Sequence, residues 1–80
     1  MIRVMVNQEF SHNHKESFGL RLRELRVRAG LSQEELAYRA DLDRTYVSSC
    51  ERGKRNVSLD SIVAFAAALQ IQAAELLVDI

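Results

Sequence analysis

Two short helices joined by a tight turn, between Ser32 and Gly53, constrain this chain more than any other feature of it. Ser32-Gln33-Glu34-Glu35 places a hydroxyl at a helix N-cap and a carboxylate three residues on, so that each side chain can close a backbone N–H of the other. The helix it opens turns Leu36 and Ala37 inward and fades at Ala40-Asp41. Asp43 is a second N-cap residue. It starts a helix through Arg44-Thr45-Tyr46-Val47-Ser48-Ser49-Cys50-Glu51-Arg52, which Gly53 stops. In this second helix only Val47 and Cys50 are strong candidates for burial. A helix with so narrow an apolar stripe exposes most of its surface. Here that surface carries arginine, tyrosine and three hydroxyls, all of them hydrogen-bonding groups.

The rest of the chain reads as further helices around this pair. Phe18, Leu22 and Leu25 stand at i, i+4 and i+7 and give one apolar face to a helix from about Lys15 to Ala29. Arg21, Arg23, Arg26 and Arg28 take its other directions, and Gly30 supplies the left-handed residue that ends it. After the polar loop Lys54-Arg55-Asn56-Val57, Ser58 caps a helix with a wide apolar face of Leu59, Ile62, Val63, Phe65, Ala66 and Leu69. Ile71 to Val78 predicts a last helix, apolar on more than one side through Ala73, Ala74, Leu76, Leu77 and Val78. Strand alternation is unconvincing everywhere beyond the short apolar patch Met1–Val6, so the expected fold class is all-α. Residues 1–14 read as an N-terminal tail and 15–80 as one helical domain, with the paired helices at 33–52 and the terminal helix at about 71–79.

An 80-residue chain makes one domain with a marginal core. The single cysteine, Cys50, forms no internal disulfide, and no Cys/His spacing suits structural zinc. The missing staple has to come from helix packing or oligomerisation. A terminal helix apolar on several sides favours a second copy, with Leu69, Ile71, Ala73, Leu76 and Leu77 as the expected dimer interface. No apolar run approaches the ~18 residues of a membrane span, and the N-terminal patch is too short for a signal segment. A cytoplasmic protein without membrane contact is therefore expected. His12 and His14 lack a third ligand and read as solvated, so neither metal nor cofactor is expected. The absence of a nucleophile–base pair and of a phosphate loop sets enzymatic function aside. A formal net charge of zero hides a polarity: all eleven Lys and Arg lie in residues 1–55 with eight acids, whereas residues 56–80 carry three acids and no base. One end of the molecule can meet phosphates and the other cannot.

Counted over the twenty positions from Gln33 to Arg52, Leu36 and Ala37 are fourth and fifth, Asp41 ninth, Leu42 tenth, Val47 fifteenth and Cys50 eighteenth. This is helix-turn-helix spacing. The fifth residue is small where the helices cross, the ninth tolerates positive φ, and the others fill the space beneath. Glycine is expected at the ninth position; aspartate also tolerates the left-handed region. Leu22-Arg23-Glu24-Leu25-Arg26, Gly30-Leu31-Ser32-Gln33-Glu34-Glu35-Leu36-Ala37 and Glu51-Arg52-Gly53-Lys54-Arg55 together resemble the XRE family, the Cro- and phage-repressor-type proteins, over about residues 17–78. Leu42-Asp43-Arg44-Thr45-Tyr46-Val47-Ser48, in so short a chain, further resembles the controller proteins of restriction–modification systems.

The resemblance implies a five-helix, lambda-repressor-like fold. It implies a homodimer that regulates transcription from a pseudo-palindromic operator in double-stranded DNA, controlling a restriction–modification operon and its own gene. The alternative is an antitoxin-type or other small XRE regulator that also grips a protein partner through its C-terminal helix. Family roles carried over residue by residue make Gln33 a phosphate contact at a helix N-terminus. Arg44, Thr45 and Ser49 face base edges, flanked by Ser48 and Tyr46. Arg52 and Asn56 meet phosphates, and Arg26 with Glu51 forms a partly buried ion pair. Lys54 and Arg55 add phosphate neutralisation. Arg44 can make a bidentate contact to guanine, worth ~1–3 kcal/mol of discrimination. Tyr46 reads equally as a ring packed on the domain surface, and Cys50 as a core filler. Glu34 is a candidate contact for RNA polymerase, beside a simpler role in stabilising the helix dipole.

Overall fold

The computed structural model describes residues 13–80. The N-terminal patch and His12 lie outside the described residues, as does most of the expected tail. Four α-helices follow one another: α1 (His14–Arg28), α2 (Gln33–Ala40), α3 (Arg44–Glu51) and α4 (Leu59–Leu69), with a closing 3₁₀ segment, Ala73–Leu77. The described residues are all-helical and contain no strand.

Each start is fixed by a side chain that replaces a missing helical acceptor. Asn13 Oδ1 accepts from Lys15 N at 2.9 Å, which begins α1 one residue before the sequence expectation. Ser32 and Glu35 form the reciprocal capping box at 3.0 and 2.8 Å. Asp43 Oδ1 accepts from Thr45 N at 3.0 Å, and Ser58 Oγ from Ser61 N at 3.1 Å. All four helices end alike, with a left-handed residue just past the last turn: Gly30, Asp41, Gly53 and Gln70. At Asp41, φ is 58°, and Leu42 N reaches back to Ala37 O at 2.9 Å. That bond closes the last turn of α2 and aims the chain into α3. Aspartate thus occupies the position where a helix-turn-helix normally has glycine.

The core is one cluster in which Phe65, Leu22, Leu36, Leu76, Val47 and Cys50 are fully enclosed. α3 packs on α1 and α2, α4 packs on α2, and the 3₁₀ segment bridges α1 and α4. Gly19 permits the crossing of α1 over α3. A Cβ there would lie 2.5 Å from Cys50 O and 2.6 Å from Glu51 O.

Two sequence expectations are corrected here. The terminal helix expected over Ile71–Val78 is a five-residue 3₁₀ segment. Gln70 ends α4 in the left-handed region and Gln72 is extended, so few residues remain in which to nucleate an α-helix. The segment is held by Arg21 Nε donating to Glu75 O at 2.7 Å and by Leu76 in the core. Second, the apolar face of α4 is split. Phe65, Ala66 and Leu69 turn inward, whereas Leu59 and Val63 are 72% and 53% exposed.

Candidate nucleic-acid interface

Val47 and Cys50 anchor α3 in the core, and this leaves Arg44, Thr45, Ser48, Ser49 and Arg52 on its outer face. These five recur at helical spacing, so they form one continuous stripe. Arg44 and Thr45 are exposed at the helix N-terminus, and among the described residues no side chain holds the Arg44 guanidinium. Ser48 Oγ accepts from Arg52 Nη1, and Ser49 Oγ accepts from Arg55 Nε at 3.3 Å.

Tyr46 points elsewhere. Its ring stacks on Phe65 with centroids 6.4 Å apart and planes 12° from parallel. Its hydroxyl donates to Ser61 Oγ at 3.2 Å, and the Arg55 guanidinium lies 5.4 Å from the ring centroid. The ring packing that the sequence allowed for Tyr46 is present within the protomer. The ring ties α3 to α4, and its hydroxyl is occupied within the protomer rather than offered beside Arg44.

Gln33 stands at the first turn of α2, half-buried. Its Nε2 donates to Glu51 Oε1 at 3.0 Å. Glu51 also accepts from Arg26 Nε at 2.6 Å and from Arg26 Nη2 at 3.0 Å, while Arg26 Nη1 donates to Leu31 O at 2.8 Å. The bidentate pair is 8% exposed at each residue, and the Glu51 hydrogen bond holds the Arg26 guanidinium above its usual pKa. No buried side-chain polar atom among the described residues lacks a partner, which is the condition for a buried ion pair to be tolerated. This network fixes the angle between α1, α2 and α3. The backbone N–H groups of Gln33 and Glu34, in the first turn of α2, have no acceptor within the helix. Arg52, Lys54, Arg55 and Asn56 are exposed. Burial pushes the Cys50 thiol up, so it remains a protonated core side chain.

The expected dimer residues divide. Leu69 and Leu76 are 8% and 0% exposed and belong to the protomer's own core, so they have no surface to offer a second copy. Ile71 and Ala73 are half-buried and Leu77 is exposed. Leu59 and Val63, which the sequence put on the apolar face of this helix, stand one turn apart on the outer side of α4. Their i, i+4 spacing was legible, but the side of α4 that faced inward was not. Among the described residues no group of three His, Cys, Asp or Glu could hold a metal, and no helix is long and apolar enough to cross a membrane.

Fold and surface together define a helix-turn-helix protein, and residues 17–77 match the helix-turn-helix domain family. The control protein C.BamHI of Bacillus amyloliquefaciens is 46% identical over 84% of this chain and 84% of its own length. The control protein C.MunI of a Mycoplasma species is 51% identical over 82% of this chain and 90% of its own. The crystal structure of the restriction–modification controller protein C.AhdI from Aeromonas hydrophila superposes with a TM-score of 0.79. It is 54% identical and covers 81% of this chain and 98% of that one. The chain belongs to this family of helix-turn-helix controller proteins, a class of DNA-binding regulators and not of enzymes.

Proposed function

We propose that the protein is a homodimeric, cytoplasmic transcription regulator that binds a pseudo-palindromic operator and controls a restriction–modification operon together with its own gene. The observation that carries this reading is the α3 stripe, a row of exposed Arg44, Thr45 and Arg52 with half-buried Ser48 and Ser49 on a helix anchored by Val47 and Cys50. In this reading α3 enters the major groove, with Arg44 and Thr45 on base edges. Gln33 and the N-terminus of α2 hold one phosphate. Arg52, Lys54, Arg55 and Asn56 hold others. The test is binding to an operator selected from randomised duplexes. Arg44→Ala should lose about tenfold to hundredfold in specific affinity, with helix content and non-specific affinity kept. Unchanged specific binding would remove the base contact from the reading.

One domain covers a half-site, so two copies have to stand one helical turn apart, ~34 Å. The outer side of α4 and the adjoining chain end supply the apolar surface: Leu59, Val63 and Leu77, the last lining a shallow groove with Ile62. Val63→Glu and Leu77→Glu should give monomers by sedimentation and lose most operator affinity. Glu34, exposed on α2 with Glu35 and the 87% exposed Tyr38, is the group available to RNA polymerase at an adjacent promoter. Endonuclease and methyltransferase genes beside this one would support the operon assignment.

A further inference from the structure

We propose that Arg52 and Arg55 fix the hydrogen-bonding polarity of Ser48 and Ser49, so that these two hydroxyls select keto bases, guanine or thymine, over amino bases, adenine or cytosine. This rests on α3 being the helix that reads the major groove. A guanidinium has N–H donors and no acceptor. Whatever it bonds has to accept, and here that is Ser48 Oγ for Arg52 and Ser49 Oγ for Arg55. A hydroxyl has one proton and two lone pairs. With one lone pair held by a guanidinium, the O–H is left to turn toward a base. The adjacent positive charge also disfavours a second N–H donor arriving from the groove.

The two guanidinium groups are placed by different means. Arg52 follows Ser48 by four residues and reaches it along one face of the helix. Arg55 comes from the loop beyond Gly53 and lies over Tyr46 at 5.4 Å from the ring centroid. Tyr46 itself is fixed by stacking on Phe65 and at its hydroxyl by Ser61. The ring is therefore a platform that holds Arg55 within reach of Ser49. Each guanidinium has five N–H groups, and the bond to serine leaves the others for phosphate. In the major groove guanine O6 and thymine O4 accept, whereas adenine N6 and cytosine N4 donate. An O–H whose oxygen is held by a guanidinium complements the first pair and opposes the second.

The experiment is selection from duplexes randomised across the operator, run on wild type and on Ser48→Ala, Ser49→Ala, Arg52→Ala, Arg55→Ala, Arg55→Lys and Arg44→Ala, with thermal melting as a folding control. Positions whose preference flattens in a serine variant should carry guanine or thymine in the wild type by about tenfold. Arg52→Ala should flatten the Ser48 position and Arg55→Ala the Ser49 position, while those read by Arg44 persist. Arg55→Lys, which keeps charge and donors, should retain part of the preference. The proposal is overturned if the serine positions carry adenine or cytosine. It is equally overturned if the arginine variants weaken every sequence alike and leave the preferences unchanged, as a purely phosphate-binding role would. A selection in which Arg44→Ala shifts its own positions but the serine positions ignore Arg52 and Arg55 overturns this proposal alone. A wild type that enriches no sequence overturns the function beneath it as well.

Discussion

Gly19→Ala adds one methyl group where α1 crosses α3. The new carbon would stand 2.5 Å from Cys50 O and 2.6 Å from Glu51 O, and ordinary contact begins near 3.4 Å, so the helices have to part by about 0.9 Å. Both obstructing atoms are backbone carbonyls of α3 and cannot rotate away. Replacing glycine in a helix interior by alanine normally stabilises by about 1 kcal/mol. Overpacking a tight site costs about 1–3 kcal/mol, and with backbone on both sides the upper part of that range applies. The net expectation is a loss of about 1–2 kcal/mol, read as a fall in Tm of about 5–15 °C for a domain of this size. Urea denaturation gives the same quantity as a lowered midpoint at constant slope. Gly30→Ala is the control. Nothing lies within 4 Å of its Cβ and φ is +76°, so it should cost only left-handed strain of about 1–2 kcal/mol. The two variants should separate on DNA. Gly19→Ala shifts α3 against α1 and should weaken specific binding beyond its stability loss, whereas Gly30→Ala should leave the folded protein's affinity intact. A Gly19→Ala protein as stable as wild type would refute the close approach of α1 and α3.

Three other outcomes follow from the same geometry. Glu51→Ala strands the buried Arg26 charge and releases Gln33, and should cost about 3–5 kcal/mol by urea denaturation; replacing Arg26 and Glu51 together by apolar residues should recover most of that loss. Asp41→Gly removes a Cβ from a residue at φ 58° and should raise the urea midpoint, by about 0.5–1 kcal/mol in stability, without altering DNA binding. The Ser32 backbone N–H holds the Glu35 carboxyl below its ordinary value near 4.5. Its support of α2 is therefore complete above that value and is lost as pH falls through and below it. Glu35→Gln should flatten stability between about pH 5 and pH 3 relative to wild type, and an unchanged acid limb would contradict the capping role.

What could be read before the structure was local. Capping residues and the glycines after α1 and α3 mark starts and stops because their effects act over three to five positions. The twenty-position spacing located the helix pair and its buried members for the same reason. The Arg26–Glu51 pair, 25 residues apart, came from family resemblance, since no local rule joins those positions.

The sequence by itself determined where the four α-helices lie, the N-caps Ser32, Asp43 and Ser58, and that the surface of α3 is polar and hydrogen-bonding. Tertiary structure alone decided how that surface is held. The partner of the Tyr46 ring, Phe65, came only with the placing of α4 beside α3. Leu69 and Leu76 could belong to a partner or to the core until the chain end folded back onto α1 and α4. The contacts of Arg55 with the Tyr46 ring and the Ser49 hydroxyl came only with the path of the loop after Gly53. The physical reason is common to all three. Helix period and caps are written into neighbouring residues, whereas the partner of an amphipathic side chain depends on which distant element the packed core brings to it.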